Sequence, residues 1–550
     1  MSAASALAFV LSFQPHGLWP LMPLSIALFV ATAVASPSKR VLLAVLAVPW
    51  LLAWAWIQLW ILDISNLGMP LFALYLMGLT LFSALGVRVL ARHGPTRRWT
   101  FAAILPWAWI GLEAVRSRIA FEGYPWYLTG HPLIDAPILV QSADLLGVPF
   151  VGSIVALVAG IAADGLLRRG TPRAQVAGAG AGAALVGAAL AYGAFRLSET
   201  EPLSPGPRIL AIQTNLPQSN KISWSLEAKR RDVAAFMTQT DEAFAEAVAE
   251  GRTPDLVAWP ETMLPSLGID AATLRFLDSV GARAPLEFAL LAIDAMIRFE
   301  RPFLVGSSAF DGLALDDQSK RFTWTRQFNA AHLISPGRSV SRYDKVVLTP
   351  FGETMPYISA WPWLESRLLD LGARGMSFDL ASGSGGEVLT APWASGTRDF
   401  RFAAPICFED TVPWHCRRLA HADDGKSIDL FINISNDGWF AGHAGGRLQH
   451  AQIARFRTIE NRVPMVRVVN TGVSLSIDSC GRIVGTVGAG RYGEEAIAGT
   501  LLAETTLDAR RTLYSRVGDL WEYACLALTT VLVAASIRSR LRRPRSCSSP

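Results

Sequence analysis

The sequence predicts a multi-span α-helical membrane domain joined to one α/β domain outside the membrane. Three observations lead to it. Of 550 residues, 51% are apolar and 17% charged, below the ~25% charged residues of ordinary soluble domains. The shortage is uneven: Asp63, Glu113, Glu122, Asp135, Asp144 and Asp164 are the acidic residues before Phe195, whereas residues 197–516 have a soluble composition. Within that second region, strand-like and helical patterns alternate, which is the mark of α/β architecture.

Seven apolar runs approach the roughly 20 residues that cross a bilayer: Trp19–Ser36, Val41–Leu62, Met69–Ala91, Thr100–Ser117, Gly147–Leu167, Ala174–Phe195 and Val517–Ile537. A shorter run, Ala3–Phe13, closed by Pro15–Gly17, reads as an eighth, short span. A cleaved signal peptide ending near Ala33-Val34-Ala35-Ser36 is disfavoured. No Lys or Arg precedes the first apolar run, and the run is too long for a signal core.

Basic residues cluster at Lys39–Arg40, at Arg88, Arg92, Arg97 and Arg98, at Arg168, Arg169 and Arg173, and from Arg538 to Arg545. With eight spans, all four clusters and the N-terminus fall on one side, the cytoplasmic side by the positive-inside rule. The large domain then falls outside. Seven spans keep it outside and move the N-terminus. The expected organisation is a transmembrane domain over 1–196 (seven spans, the first short), an extracytoplasmic domain over 197–516, a last helix over 517–537 and a basic tail over 538–550. The net charge of +5 therefore reflects orientation, not nucleic-acid binding. Glu113 and Asp164 lie within apolar runs. Intramembrane acids are functional candidates by default, but the simpler reading is that each faces a neighbouring helix or an interface.

Candidate strands of the α/β domain are Arg208–Thr214, Asp255–Trp259, Phe303–Ser307, Asn329–Ser335, Phe400–Cys407, Asp429–Ser435 and Met465–Asn470; candidate helices are Leu226–Gly251, Pro285–Glu300 and His450–Arg462. Many of the strands are apolar without strict alternation, as expected when both faces are covered. In such sheets chemistry gathers at the carboxyl ends of strands. Trp259-Pro260-Glu261 ends in a carboxylate, Lys345 precedes the turn Pro350-Phe351-Gly352-Glu353, and Ile406-Cys407-Phe408-Glu409 offers a thiol.

These three types form a complete acyl-transfer set. A thiol attacks carbonyl carbon as thiolate and needs help to lose its proton. A carboxylate can take that proton and later activate an incoming amine or water. An ammonium can hold the thiolate and the tetrahedral oxyanion. Alone, Cys407 would more naturally be a packing residue, and that reading is kept for Cys416, Cys480, Cys525 and Cys547. Five cysteines are too few for a disulfide framework. Cys407 and Cys416 are too far apart for a zinc-type pair, so no metal is expected.

The three segments resemble the signatures of the nitrilase (carbon–nitrogen hydrolase) superfamily, whose triad is Glu, Lys, Cys in that order. The whole chain resembles its apolipoprotein N-acyltransferase branch, also at Gly123-Tyr124-Pro125-Trp126, Gln213-Thr214-Asn215-Leu216-Pro217-Gln218 with Trp224, Ser435-Asn436-Asp437-Gly438-Trp439-Phe440 and Asn470-Thr471-Gly472. The resemblance implies an α-β-β-α sandwich for the outer domain. It also implies Glu261 as general base, Lys345 as oxyanion and thiolate stabiliser, and Cys407 as nucleophile. Glu353, Phe408 and Glu409 would support them. Phe408 stands where the family usually has Tyr, so the ring is kept and the hydroxyl lost. Trp126, Trp224, Trp361 and Trp363 are candidates for lipid contacts, the last two as a membrane-facing lid beside the amphipathic run Leu364–Leu371. The activity implied is ping-pong transfer of an acyl chain from a phospholipid to a diacylglyceryl-modified apolipoprotein. It would be catalysed by a cofactor-free monomer among the lipids of a bacterial inner membrane, with its catalytic domain on the periplasmic side. A membrane-tethered amidase uses the same triad, but one anchor would serve it. A transporter should show paired broken helices or midplane charges, and a non-catalytic scaffold would be expected to lose a triad member.

Overall fold

The computed structural model describes residues 1–201, 203–217, 224–350, 352–354, 363, 380–394, 396, 398–422, 425–440 and 442–542. Trp361, the run 364–371, Gln218 and Cys547 lie outside the described residues. The chain divides into two compact units, Met1–Ser198 with Arg516–Pro550, and Glu199–Ser515.

The first unit is helical: α1 (Ser2–Ser12), α2 (Leu21–Ala35), α3 (Lys39–Ile57), α4 (Gly68–Arg92), α5 (Phe101–Ala114), α6 (Ala143–Leu167), α7 (Pro172–Ser198) and, from the far end of the chain, α13 (Leu520–Leu541). Among the described residues, α3, α4, α6, α7 and α13 are long and apolar enough to cross a membrane, while α1 and α2 are shorter apolar helices. Expected and observed ends differ most after Ile57, where α3 stops and a 3-10 turn, Leu59–Asp63, follows. Ser38 caps the start of α3 by accepting from the Val41 amide at 3.2 Å. Close helix approach needs small residues: a Cβ at Gly111 of α5 would meet the Cys525 carbonyl of α13 at 2.5 Å.

Both intramembrane acids turn out to have partners within this unit. Asp164 accepts from the amides of Phe101 (2.7 Å) and Ala102 (2.9 Å), the first residues of α5, and so satisfies donors that a helix start leaves open. Glu113 accepts from the amide and hydroxyl of Thr129, both at 3.0 Å, and faces Arg116 at 3.5 Å. The neighbouring-helix reading therefore holds for Asp164, whereas the partners of Glu113 are a turn residue and the continuation of its own helix.

The second unit is built on two six-stranded sheets. In the first, β1 (Leu203–Gln213), β2 (Leu256–Ala258), β3 (Phe303–Asp311), β4 (Arg326–Ile334) and β5 (Ser341–Asp344) follow in order, and β12 (Gly499–Asp508) closes the edge beside β1. In the second, the order runs β11 (Ile483–Thr486), β10 (Leu475–Ile477), β9 (Met465–Val469), β8 (Leu430–Ser435), β7 (Phe400–Ala403), β6 (Leu389–Ala391). The central pairs β1–β2, β2–β3, β7–β8 and β8–β9 are parallel, and the outer ones antiparallel.

Side-chain alternation places the layers. Ile209 and Ala211 of β1 pack in a core shared with Phe402, Ile432 and Val466 of the second sheet. Leu210 and Ile212 point the other way, into a core with Phe236 of α8 (Leu226–Ala249) and Phe288 of α10 (Arg283–Phe299). On the second sheet, Leu419 of α11 (Pro413–Ala420) and Ala454 of α12 (Ala444–Asn461) join the shared core; α9 (Ala271–Ser279) lies between β2 and β3 in sequence. The layering is α-β-β-α, with both faces of the strands covered, which explains their unbroken apolar runs.

Several expected boundaries shift: β1 begins at Leu203 rather than Arg208, β3 runs on to Asp311 rather than Ser307, and two further shifts lie near Cys407 and His450. The strand expected to reach Cys407 ends at Ala403. Pro405 has no amide to continue the ladder, although its carbonyl still accepts from Ile434 at 3.3 Å. Helix α12 begins at Ala444, not His450. Gly445 and Gly446 are poor helix formers, and burial overrides that preference.

Candidate functional site

Glu261 follows β2, Lys345 follows β5 and Cys407 follows β7, so the three groups expected from the sequence sit beyond strand ends. The path of each strand is held tightly there. Gly306 of β3 is necessary beneath Glu261, because a Cβ would lie 2.3 Å from the Pro260 carbonyl and 2.7 Å from the Glu261 Cα. Thr262 adopts φ 53° and Cys407 φ 52°, a left-handed backbone that costs a non-glycine residue roughly 1–2 kcal/mol. Strain of this kind concentrates at functional sites. Cys407 opens a 3-10 turn, Cys407–Thr411, and is partly buried while Glu261 and Lys345 are almost fully so.

Lys345 Nζ lies 2.6 Å from Glu353 Oε2 and 4.0 Å from Glu261 Oε1. Burial alone would lower the Lys345 pKa, but Glu353, then Cys407 and Glu261, raise it above the ordinary lysine value, so the ammonium is retained. Burial would lift the Glu353 carboxyl; Lys345 and Thr349 together keep it below the usual glutamate range. The Thr349 amide donates to Glu353 Oε2 at 2.9 Å. Burial, then the Glu261 charge, push the Cys407 thiol well above its ordinary value, and Lys345 offsets part of this. The resting thiol therefore favours its protonated form, with the Glu261 charge opposing the thiolate and that of Lys345 favouring it.

Asn329, which the sequence did not single out, and Glu409, which it did, complete the site. Asn329 of β4 donates to Glu261 Oε1 at 2.6 Å and to Glu353 Oε1 at 3.3 Å, while its carbonyl accepts from the Lys345 amide at 2.9 Å. A polar side chain at a buried strand position was the available signal, since such groups need a partner. Glu409 is fully buried. Its Oε1 accepts from the amides of Val346 (2.7 Å) and Val347 (2.9 Å), and its Oε2 from the Ile406 amide (2.7 Å) and the Tyr343 hydroxyl (2.9 Å). One carboxylate thus fastens the chain after Lys345 to the chain before Cys407. His415 Nε2 lies 3.2 Å from Glu409 Oε1. Burial favours protonating Glu409, but His415 and the backbone amides hold its pKa below normal.

Three of the other quoted segments, those beginning at Gln213, Ser435 and Asn470, meet at Asn470. Its Oδ1 accepts from the Thr214 hydroxyl (2.7 Å) and the Leu216 amide (2.7 Å), and its Nδ2 donates to the Leu216 carbonyl (2.8 Å) and Asn436 Oδ1 (3.0 Å). Phe408 is buried. Trp224 donates to Asp232 at 3.0 Å, with Lys229 over its ring, and Trp363 is exposed. Trp126 is a correction to the lipid-contact expectation: it is 4% exposed in the helical unit and stacked on Tyr124, a packing role. Cys416, Cys480 and Cys525 are buried; Cys480 sits in a turn closed by the Gly481 amide on the Asp478 carbonyl.

Comparison with known proteins agrees with this architecture. The profile of the apolipoprotein N-acyltransferase N-terminal domain matches residues 5–161, and that of carbon-nitrogen hydrolases matches residues 212–512. The chain is 30% identical to the apolipoprotein N-acyltransferase of Bordetella bronchiseptica over 99% of its own length and 97% of that protein. It is 28% identical to the Geobacter metallireducens protein of the same name, over 98% and 95% respectively. With the Bradyrhizobium diazoefficiens protein it shares 29% identity over 88% and 81%. A helical membrane region followed by a carbon–nitrogen hydrolase domain, matched along nearly its whole length, makes this chain a member of the apolipoprotein N-acyltransferase family.

Proposed function

We propose that the protein transfers an acyl chain from a phospholipid to the α-amino group of the diacylglyceryl-cysteine of apolipoproteins, through a thioester on Cys407. The observation that carries this is the buried ammonium of Lys345 held between two carboxylates, Glu353 at 2.6 Å and Glu261 at 4.0 Å, beside a strained thiol-bearing turn.

In the first half-reaction Cys407 Sγ attacks the ester carbonyl as Glu261 takes its proton. The oxyanion gains Lys345 as its counter-charge. Collapse breaks the ester C–O bond, and Glu261 returns the proton to the departing lysophospholipid hydroxyl. In the second, the acceptor amine attacks the thioester carbonyl, Glu261 takes a proton from the attacking nitrogen, the C–S bond breaks, and Glu261 passes that proton to the departing sulfur, leaving the amide product and the restored thiol. Glu353 keeps the ammonium of Lys345 in place. Asn329 orients Glu261 by occupying one of its oxygens.

Donor and acceptor are both held in the bilayer by their acyl chains, so a catalytic domain tied to membrane helices meets them without either crossing water. In this reading the catalytic domain spans 197–516 on the periplasmic face of the inner membrane, between the N-terminal spans and a last helix over 517–537, and the enzyme works as a monomer. The four clusters of basic residues support that orientation. Trp224 and Trp363 would then meet lipid at the headgroup level.

The test uses purified protein in detergent and a phospholipid with a labelled acyl chain, without acceptor. Label should accumulate on the wild type, be released by neutral hydroxylamine and be absent from Cys407→Ala. Free labelled fatty acid with no protein-bound label would instead indicate an amidase-like hydrolase.

A further inference from the structure

Behind the Cys407 turn lies a second group of charges that the mechanism above does not use. Asp410 lies on that turn, Asp437 on the loop after β8, His450 on α12 and Arg467 on β9; each is at most 1% exposed. His450 Nε2 is 2.7 Å from Asp410 Oδ1 and its Nδ1 is 2.9 Å from Asp437 Oδ1. With a carboxylate on each ring nitrogen, the imidazole donates twice and carries a positive charge. Arg467 Nε donates to Asp410 Oδ2 at 3.2 Å and to Asn433 Oδ1 at 3.3 Å, and its Nη2 is 3.7 Å from Asp437 Oδ2. Two carboxylates thus face two cations, and the group is neutral overall.

Among the described residues, the neighbouring cation is already engaged. Arg447, on α12, donates to the Asp437 main-chain carbonyl at 3.3 Å and pairs with Glu495 at 3.1 Å. The Ser435 hydroxyl donates to Asp437 Oδ1 at 2.9 Å, and the Phe440 ring packs against the imidazole. On the thiol side stand Glu261, Lys345 and Glu353. The Asp437 charge is close enough to Cys407 to oppose thiolate formation.

We propose that His450 is a positioning residue for the nucleophile: its imidazolium ties the Cys407 turn to the 436–440 loop and cancels the carboxylate that would otherwise disfavour the thiolate. Burial would lower the His450 pKa, but Asp410 and Asp437 raise it to about 9, so the cation persists at neutral pH. Burial likewise opposes ionisation of Asp437, yet His450 and Arg467 bring it to about 2. A structural strap alone would need only the two hydrogen bonds. The electrostatic role needs the charge.

The inference rests on Cys407 as nucleophile, and its test reads the thiol directly, so that failure of the acyl-transfer reading is scored separately. The full-length protein in detergent is alkylated with iodoacetamide at fixed neutral pH, with modification of Cys407 followed by mass and Cys407→Ala as control. Below the thiol midpoint the rate follows the thiolate fraction, which changes tenfold per unit of pKa. His450→Gln, which keeps a hydrogen-bonding side chain without the charge, should slow alkylation about tenfold or more. Adding Asp437→Asn to it should restore most of that loss, which repair of mere packing would not do. If His450→Gln does not fold, Asp437→Asn alone decides: faster alkylation than wild type supports the proposal, and an equal or slower rate overturns it. A His450→Gln rate equal to wild type, or a double variant no faster than His450→Gln, also overturns it.

Discussion

Replacing Glu409 by Gln changes one oxygen to an amide nitrogen and tests whether a single buried carboxylate sets the site. The two sides of that carboxylate each serve two donors: Val346 and Val347 amides on one, the Ile406 amide and Tyr343 hydroxyl on the other. Whichever side the glutamine nitrogen takes, two donors lose their acceptor and face another donor. A buried unsatisfied donor costs ~1–3 kcal/mol. If the nitrogen takes the Tyr343 side, that hydroxyl can turn to His415, 2.9 Å away. In that orientation only the Ile406 amide goes unpaired, so the expected loss is about 1–3 kcal/mol, on the order of a 2–4 °C drop in melting temperature for the lower figure. Cys407 alkylation should slow in the folded variant, because the Cys407 turn is no longer pinned to the chain after Lys345. The pH dependence adds a second arm. The Glu409 pKa is lower in the fold than in the unfolded chain, so its contribution is present above the unfolded value of ~4.3 and disappears as pH falls through the folded one. The gap between wild type and variant should narrow in acid. Thermal unfolding in detergent across pH, with alkylation of the folded protein, measures both. An unchanged melting temperature and alkylation rate in Glu409→Gln would refute the clamp.

Four further outcomes are expected. Lys345→Met leaves Glu261 and Glu353 buried without their cation, so it should cost about 3–5 kcal/mol and abolish hydroxylamine-labile labelling; retention of the label would contradict the proposed role. Cys407→Gly should melt higher than Cys407→Ala by about 1 kcal/mol, since glycine adopts positive φ freely, while neither is labelled; equal melting would mean that the turn is not strained. Asp164→Ala should lower stability in detergent by ~1 kcal/mol through loss of its two bonds to the start of α5; an unchanged unfolding midpoint would contradict this. Because the His450 pKa rises from ~6.5 in the unfolded chain to about 9 in the fold, its stabilisation is complete below the first value. It is lost as pH rises through the second; a wild-type alkaline stability slope identical to that of His450→Gln would contradict this.

Much of the architecture was legible because it rests on composition and period. Apolar runs of bilayer length mark the helical unit, and Leu256-Val257-Ala258 or Leu430–Ser435 read as strands since both their faces are covered. Glu261, Lys345 and Cys407 stood out through their motifs. What was not legible depends on long-range pairing. Asn329 looks like any strand residue until Glu261 and Glu353 are folded around it, and nothing local says that His450 meets Asp410 and Asp437, 40 and 13 residues away. The end of β7 at Ala403 could have been anticipated from Pro405. The early start of α12 could not, since Gly445 and Gly446 read locally as a turn. Trp126 shows the converse: an aromatic motif near predicted spans is equally compatible with lipid contact and with a core, and only packing against Tyr124 decides between them.

Glu409 grips main-chain amides rather than side chains at Val346, Val347 and Ile406. The clamp is therefore indifferent to what those three positions carry beyond Cα. Repacking there, where Ile406 and Val346 meet the core between the sheets, can proceed while the spacing of ammonium and sulfur stays fixed. Core packing and the geometry of the reactive groups can then drift independently in evolution, and a designer can alter one without retuning the other.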